Sequence, residues 1–288
     1  MNIGLRIDVD TFRGTRDGLP TLCRILSERG IRASMLLTAG PDNMGRHVRR
    51  LIRPAFLAKM IRSGATSLYG WDILLRGTLW PGPIIHRKLA AQFRDVAKDG
   101  HEIGVHAWDH HWWQTHAHCV PIDRLRQEIR QAHEAIAEVT GQAPTCAAAP
   151  GWRCTEAMLE ARNDFGYAWA SDARGVGVFQ PIAGPPQICV NLPTWDESVG
   201  RDGVLNEHYN DHVLQSLRRD GSDVYTIHAE YEGGVGARQF AALLDRASAE
   251  GLRWAPLGEM IPAEIPAGRM REGQVPGREG WLAVREAA

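Results

Sequence analysis

Glu102-Ile-Gly-Val-His106-Ala-Trp-Asp-His110 is the stretch on which the fold turns. Glu102–Val105 reads as a short buried strand that ends in one imidazole, and a second imidazole follows four positions later. In any helical turn that follows the strand, positions i and i+4 share a face, so the pair is spaced to clamp one ion. Imidazole suits zinc, iron, cobalt or nickel, and a third ligand from elsewhere would leave positions open for water and substrate. His101, His111, His116 and His118 crowd the same segment, so packing or surface histidines are the competing reading. Candidates for the third ligand stand at the start of the chain, where Asp8 and Asp10 close the apolar run Ile3–Ile7.

Outward from this stretch, strands and helices alternate. Ile3–Ile7 is expected as a strand, Arg16–Arg29 as a helix closed by Gly30, and Ala33–Thr38 as a second strand, which is a βαβ opening. Helical periodicity returns at His86–Lys98 and at Ile122–Val139, the latter entered after Pro121 and ended at Gly141. Thr145–Ala149, Tyr167–Ala170, Ile188–Leu192, Val224–His228 and Leu252–Trp254 read as further strands, with helices near Glu156–Asn163, His208–Arg218 and Gln239–Glu250. About seven or eight such units in series predict a parallel barrel, complete or not, whose site residues collect at the C-terminal strand ends. Asp8, Asp10, His106, the Ala149-Pro-Gly-Trp152-Arg153 run, Asp172, Arg174 and His228 all fall at such ends.

The bulk properties agree with one globular unit. The chain has 288 residues, a net charge of −1 and no low-complexity tract, so neither wholesale nucleic-acid binding nor disorder is suggested. Five cysteines without a CxxC pair fit reduced thiols better than a disulfide framework. The N-terminus carries an acid by position 8 and no apolar core, unlike a secretory signal. No run of 18 apolar residues occurs, so a soluble protein or one resting on a membrane face is expected.

The order Asp8-x-Asp10, His106-x-x-x-His110, Pro150-Gly-Trp152, Asp172 and His228 resembles the polysaccharide deacetylase family, also called the NodB-homology or carbohydrate esterase four family. Longer blocks, Gly4–Arg16, Gly40–His47, Ser67–Leu75, His106–His111, Leu192–Glu197, Tyr225–Glu230 and Gly277–Leu282, resemble a branch of it that deformylates an aminosugar carried on undecaprenyl phosphate. The resemblance implies a distorted parallel (β/α)7 barrel and one divalent ion, zinc, cobalt or manganese, held by Asp10, His106 and His110. It also implies Asp8 as general base and His228 as general acid, with an aminoarabinose product that feeds lipid A modification and polymyxin resistance. Arg153 or Arg174 is expected to hold Asp8 ionised, Asp172 to keep His228 cationic, and Trp152 to face the substrate. Two departures from the family pattern bear on these roles. Val9 separates two aspartates that are usually adjacent, so Asp8 and Asp10 could exchange base and ligand, and Ala148 and Ala149 stand where an Arg usually precedes the Pro.

A second informative stretch, Asn43–Arg94, carries ten Arg and Lys residues against the single acid Asp72. Between Val48 and Ile61 the apolar residues fall near helical spacing, with Arg49, Arg50 and Arg53 between them, and Trp71 and Trp80 follow. A basic amphipathic helical insertion with aromatics is expected to lie on an anionic membrane surface, each basic residue contributing about 1 kcal/mol. The bland alternative is a helix packed on the barrel with a solvated basic face. With a lipid-linked substrate, the expected place is the cytoplasmic side of the inner membrane, bound peripherally. Two other functions compete: an N-deacetylase of a polymer such as chitin oligomers or peptidoglycan, which would normally be exported, and a non-catalytic membrane-surface binding protein, against which the acid and histidine set argues.

Overall fold

The strand β1, Asn2–Val9, is buried along nearly its whole length and pairs on both sides. Its residues alternate between two environments, as a strand's must. Ile3, Leu5, Ile7 and Val9 join the large apolar cluster beneath the helices. Gly4, Arg6 and Asp8 face the opposite way, toward the barrel interior, where a Cβ on Gly4 would touch Val224 and Leu257. The protein is described here from a computed structural model, which covers residues 1–46 and 82–286. Arg49, Arg50, Arg53, Trp71 and Trp80, and with them the expected basic helix, lie outside the described residues.

After β1 a π-helical turn, Gly14–Gly18, runs into α1, Leu19–Ser27. There follow β2 (Ser34–Thr38), α2 (Ile85–Lys88), α3 (Ala90–Lys98), β3 (Glu102–Ala107), α4 (His110–His116) and α5 (Ile122–Thr140). The second half holds β4 (Cys146–Ala147), α6 (Glu156–Ala161), β5 (Trp169–Ala170), β6 (Val178–Phe179), β7 (Gln187–Ile188) and α7 (Trp195–Ser198). Next come α8 (Tyr209–Gln215), β8 (Val224–His228), α9 (Ala237–Ala249), β9 (Arg253–Ala255) and a terminal hairpin, β10 (Met270–Gly273) with β11 (Leu282–Arg285).

The sheet order is β6-β7-β5-β4-β3-β2-β1-β8, with β9 on the first residues of β1. From β7 to β8 every neighbouring pair is parallel, and only the edge pair β6–β7 is antiparallel. This is the curled, incomplete α/β barrel expected from the alternation. At the seam no ladder joins β7 to β8. Instead Val224 N donates to Asn191 Oδ1 at 2.7 Å and Leu192 N to Val224 O at 3.2 Å. The periodicity gave no hint of the edge strand β6 or the terminal hairpin, because both are too short to carry a period. Among the described residues no helix is long and apolar enough to cross a membrane, and all five cysteines are free thiols.

Candidate metal centre and its carboxylates

The two histidines of the opening stretch meet, although not on one helix face. His106 belongs to β3 and His110 is the first residue of α4. The β2–β3 register slips at this point, Leu37 pairing with Val105 but Thr38 with Ala107, so His106 is the extra residue of a bulge. A bulge re-aims a side chain at a sheet end. Asp109 then caps α4, its Oδ1 accepting from Trp112 N at 2.9 Å, and turns the chain so that His110 comes back over His106 with ring centroids 5.2 Å apart.

Asp10 completes the group. Its Oδ1 lies 3.2 Å from His106 Nε2 and its Oδ2 3.3 Å from His110 Nε2. One ligand atom from each of Asp10, His106 and His110 falls within 4.8 Å of the others. The protonation pattern asks for a cation there. His106 Nδ1 is 2.9 Å from the Ala148 carbonyl oxygen, which can only accept, so Nδ1 carries a proton and Nε2 is turned toward Asp10. Asp10 Oδ1, buried, has no hydrogen-bond partner. Two acceptors facing one another are held together by a proton or a metal ion, and a carboxylate with two imidazoles is a donor set that divalent transition metals accept. With protons on the facing imidazole nitrogens in place of an ion, burial still works to raise the Asp10 carboxyl, but the His110 charge and the two imidazoles hold it well below the usual range. Burial lowers and Asp10 raises His110, and the carboxylate prevails.

Asp8, two residues before Asp10, points to the same end. Its Oδ2 is 3.8 Å from His106 Nε2, while the group that gathers both histidines contains Asp10. Arg6 grips both Asp8 oxygens at 2.7 Å through Nε and Nη2, and is itself fully buried. Burial tends to raise the Asp8 carboxyl, yet the charges of Arg6, His106 and His228 with the Arg6 hydrogen bonds keep it below the usual range. His228 stands opposite Asp8 in the β1–β8 register.

The supporting residues expected from sequence are elsewhere. Arg153 donates to Glu279 O at 2.9 Å and lies over the Trp281 ring. Arg174 donates to Val190 O, Leu192 O and Glu197 Oε1. Neither meets Asp8, whose partner is Arg6. Asp172 pairs with Arg162 and accepts from Ala149 N at 2.7 Å, so it braces the turn after β4 and does not reach His228. Trp152 is 1% exposed and packed among the guanidinium groups of Arg6, Arg174 and Arg278. Arg6 was legible in principle: two positions before Asp8 in a strand puts it on the same face. Its second partner, Ser171, is 165 residues away and left no local signal.

Residues 8–170 match the family described as polysaccharide deacetylase. The chain is 48% identical over 285 residues to a protein of Shewanella sediminis named as a probable 4-deoxy-4-formamido-L-arabinose-phosphoundecaprenol deformylase, covering 98% of this chain and 93% of that one. A protein of the same name from Wigglesworthia glossinidia brevipalpis is 37% identical, over 95% of this chain and 98% of the other. Among solved structures, one assigned as a polysaccharide deacetylase from Mycobacterium smegmatis superposes with a TM-score of 0.61 at 16% identity, covering 90% and 88% of the two chains. A family 4 acetyl xylan esterase from Clostridium thermocellum, solved with a cobalt ion, gives 0.53 at 13% identity over 90% of each chain. With Asp8, Asp10, His106 and His110 all inside the matched span and two relatives similar along nearly the whole length, the chain belongs to the polysaccharide deacetylase family.

Proposed function

We propose that this protein is a metal-dependent amidohydrolase that removes the formyl group from 4-deoxy-4-formamido-L-arabinose carried on undecaprenyl phosphate. The observation that carries the reading is the Asp10, His106 and His110 cluster beside the Arg6-bound Asp8, in a chain 48% identical to a probable deformylase of that substrate. A divalent ion, when bound, lowers the pKa of water and polarises the formyl oxygen. Asp10, His106 and His110 would hold it, with the Ala148 carbonyl fixing the His106 tautomer. Asp8, kept ionised by Arg6, takes the proton as water oxygen bonds to the formyl carbon. His228 delivers a proton to the nitrogen as the C–N bond breaks, so that formate and the free amine leave. Each proton transfer by a placed group is worth on the order of 10²–10⁴ in rate. The amine is then the form available for lipid A modification and so for polymyxin resistance.

The 43–94 stretch, basic and aromatic in sequence, is proposed to hold the enzyme on the anionic cytoplasmic face of the inner membrane, where such a substrate resides. The test of the reaction is formate release from the detergent-solubilised substrate after chelation and metal add-back. Release that requires metal and disappears in His106→Ala supports the reading. No formate with any divalent metal overturns it. The membrane role is tested separately: replacement of Arg49, Arg50 and Arg53 by Glu should free the protein from anionic vesicles, and unchanged binding would remove that stretch from the interface.

A further inference from the structure

Asn43 has no part in the steps above, yet it touches the element that carries a candidate metal ligand. Beyond β2 the chain runs on beside the exit of β3, Ala39 N donating to Ala107 O at 3.0 Å and Gly40 N to Trp108 O at 2.9 Å. Asn43 Nδ2 then donates to Asp109 Oδ2 at 2.6 Å. The other oxygen of Asp109 caps α4, and the first residue of α4 is His110. Asn43 and Asp109 are both buried.

The same side chain fastens a second place. Its Oδ1 accepts from Gly82 N at 3.1 Å, next to the bridge of Pro41 with Ile84 and the bond from Asp42 N to Pro83 O at 3.1 Å. Residues 41–43 and 82–84 therefore lie side by side, so close that a Cβ on Gly82 would run into the Asp42 carbonyl. An N–H at one end and a carboxylate at the other leave the Asn43 amide a single orientation. Asp42 reaches the other ligand-bearing loop, its Oδ2 accepting from Phe12 N at 3.0 Å, two residues after Asp10. Two adjacent residues brace both loops from which Asp10 and His110 project.

We propose that Asn43 is a positioning residue of the metal centre. By tying the cap of α4 to the paired segments 41–43 and 82–84, it sets where His110 stands over His106. The inference rests on the metal reading of Asp10, His106 and His110. Without the Asn43 amide, the Gly82 N–H and one Asp109 oxygen lose their partner, and the start of α4 is released from the neighbouring loop. Partners that orient metal ligands are worth about 10- to 100-fold in affinity.

The experiment measures Co²⁺ binding to the metal-free protein, as affinity and as visible absorption of the bound ion, together with the urea midpoint. Asn43→Ala should bind Co²⁺ about 10- to 100-fold more weakly than wild type, with an altered spectrum. Asn43→Asp combined with Asp109→Asn exchanges donor and acceptor at unchanged net charge, and still offers an oxygen to Gly82 N and to Trp112 N. This double variant should bind as wild type does, with the wild-type spectrum. Asn43→Leu, of similar volume, takes the place of Asn43→Ala if the latter does not fold. A lowered urea midpoint with affinity and spectrum unchanged would mean that Asn43 serves only the fold. A double variant as weak as Asn43→Ala would mean that the bond to Asp109 is not what places His110. Either result overturns the assignment and leaves the metal reading standing, whereas a wild type that takes up none of Co²⁺, Zn²⁺ and Mn²⁺ overturns both.

Discussion

Arg6 and Asp8 carry the residue-scale argument. Two groups on one face of β1 form a bidentate pair that is almost wholly enclosed. Since the folded pKa of Asp8 lies below its ordinary value, the carboxylate stays ionised at neutral pH, and the stability it contributes is full above the ordinary value and is lost as pH falls from there through the lowered one. The acid limb of activity should accordingly lie below the ordinary carboxylate range. Arg6→Lys keeps a positive charge but not the fork that matches a carboxylate, and should raise the acid limb of kcat/KM by about one pH unit. A pH–rate profile at saturating metal checks this. An unmoved limb would mean that Arg6 serves only the fold.

At the scale of elements, the site depends on close approach between strands. Gly104 of β3 packs against its neighbours so tightly that a Cβ would stand 2.5 Å from Leu36 Cδ1 and 2.7 Å from Cys146 Sγ. Neither neighbour can retreat, because both are fully buried in the barrel interior. Gly104→Ala should therefore cost about 1–3 kcal/mol, as overpacking does, read as a lower urea midpoint. Since Gly104 lies two residues before His106, the same variant should also lose metal affinity, measured as metal retained after dialysis. Full metal retention with lowered stability would separate strand spacing from placement of the ligand.

Across the whole molecule, the C-terminal segment is tied into the barrel by charge. Glu197 of α7 accepts from Arg174 at 2.5 Å and from Arg278 at 2.6 Å, and both guanidinium groups lie 4.7 Å from the Trp152 ring centroid. β11 meanwhile pairs with the chain at Arg174, whose amide donates to Ala283 O at 2.8 Å. Removing one member of such a buried set leaves uncompensated charge, so Glu197→Ala should cost about 3–5 kcal/mol in a denaturant titration. A loss under 1 kcal/mol would show that the segment is held by its backbone pairing alone. Metal binding is the second whole-molecule quantity. A divalent ion at a hundredfold excess over its Kd should stabilise the fold by about 2.7 kcal/mol, seen as a higher Tm, and His110→Ala should abolish that increment.

Local periodicity and strand-end chemistry were enough for the alternating α/β plan, for β1, β2 and β8, and for the proximity of Asp8, Asp10, His106, His110 and His228. Each of these rests on neighbours close in sequence or on the rule that βα loops share one rim. Strands at the places of β4, β5 and β7 were expected too, longer than the two residues each has, whereas β6, also of two residues, has no readable period. The partners of the arginines were beyond reach for a different reason. Arg6 meets Ser171, Arg174 and Arg278 meet Glu197, and Asp172 meets Arg162, pairings that depend on how the sheet curls. Sequence by itself determined which chemical groups the rim would hold, because spacing along a strand sets which face each residue takes. Only the tertiary structure decided which charge stands beside which, because a buried ion pair is chosen by distance in space and leaves no period in the chain.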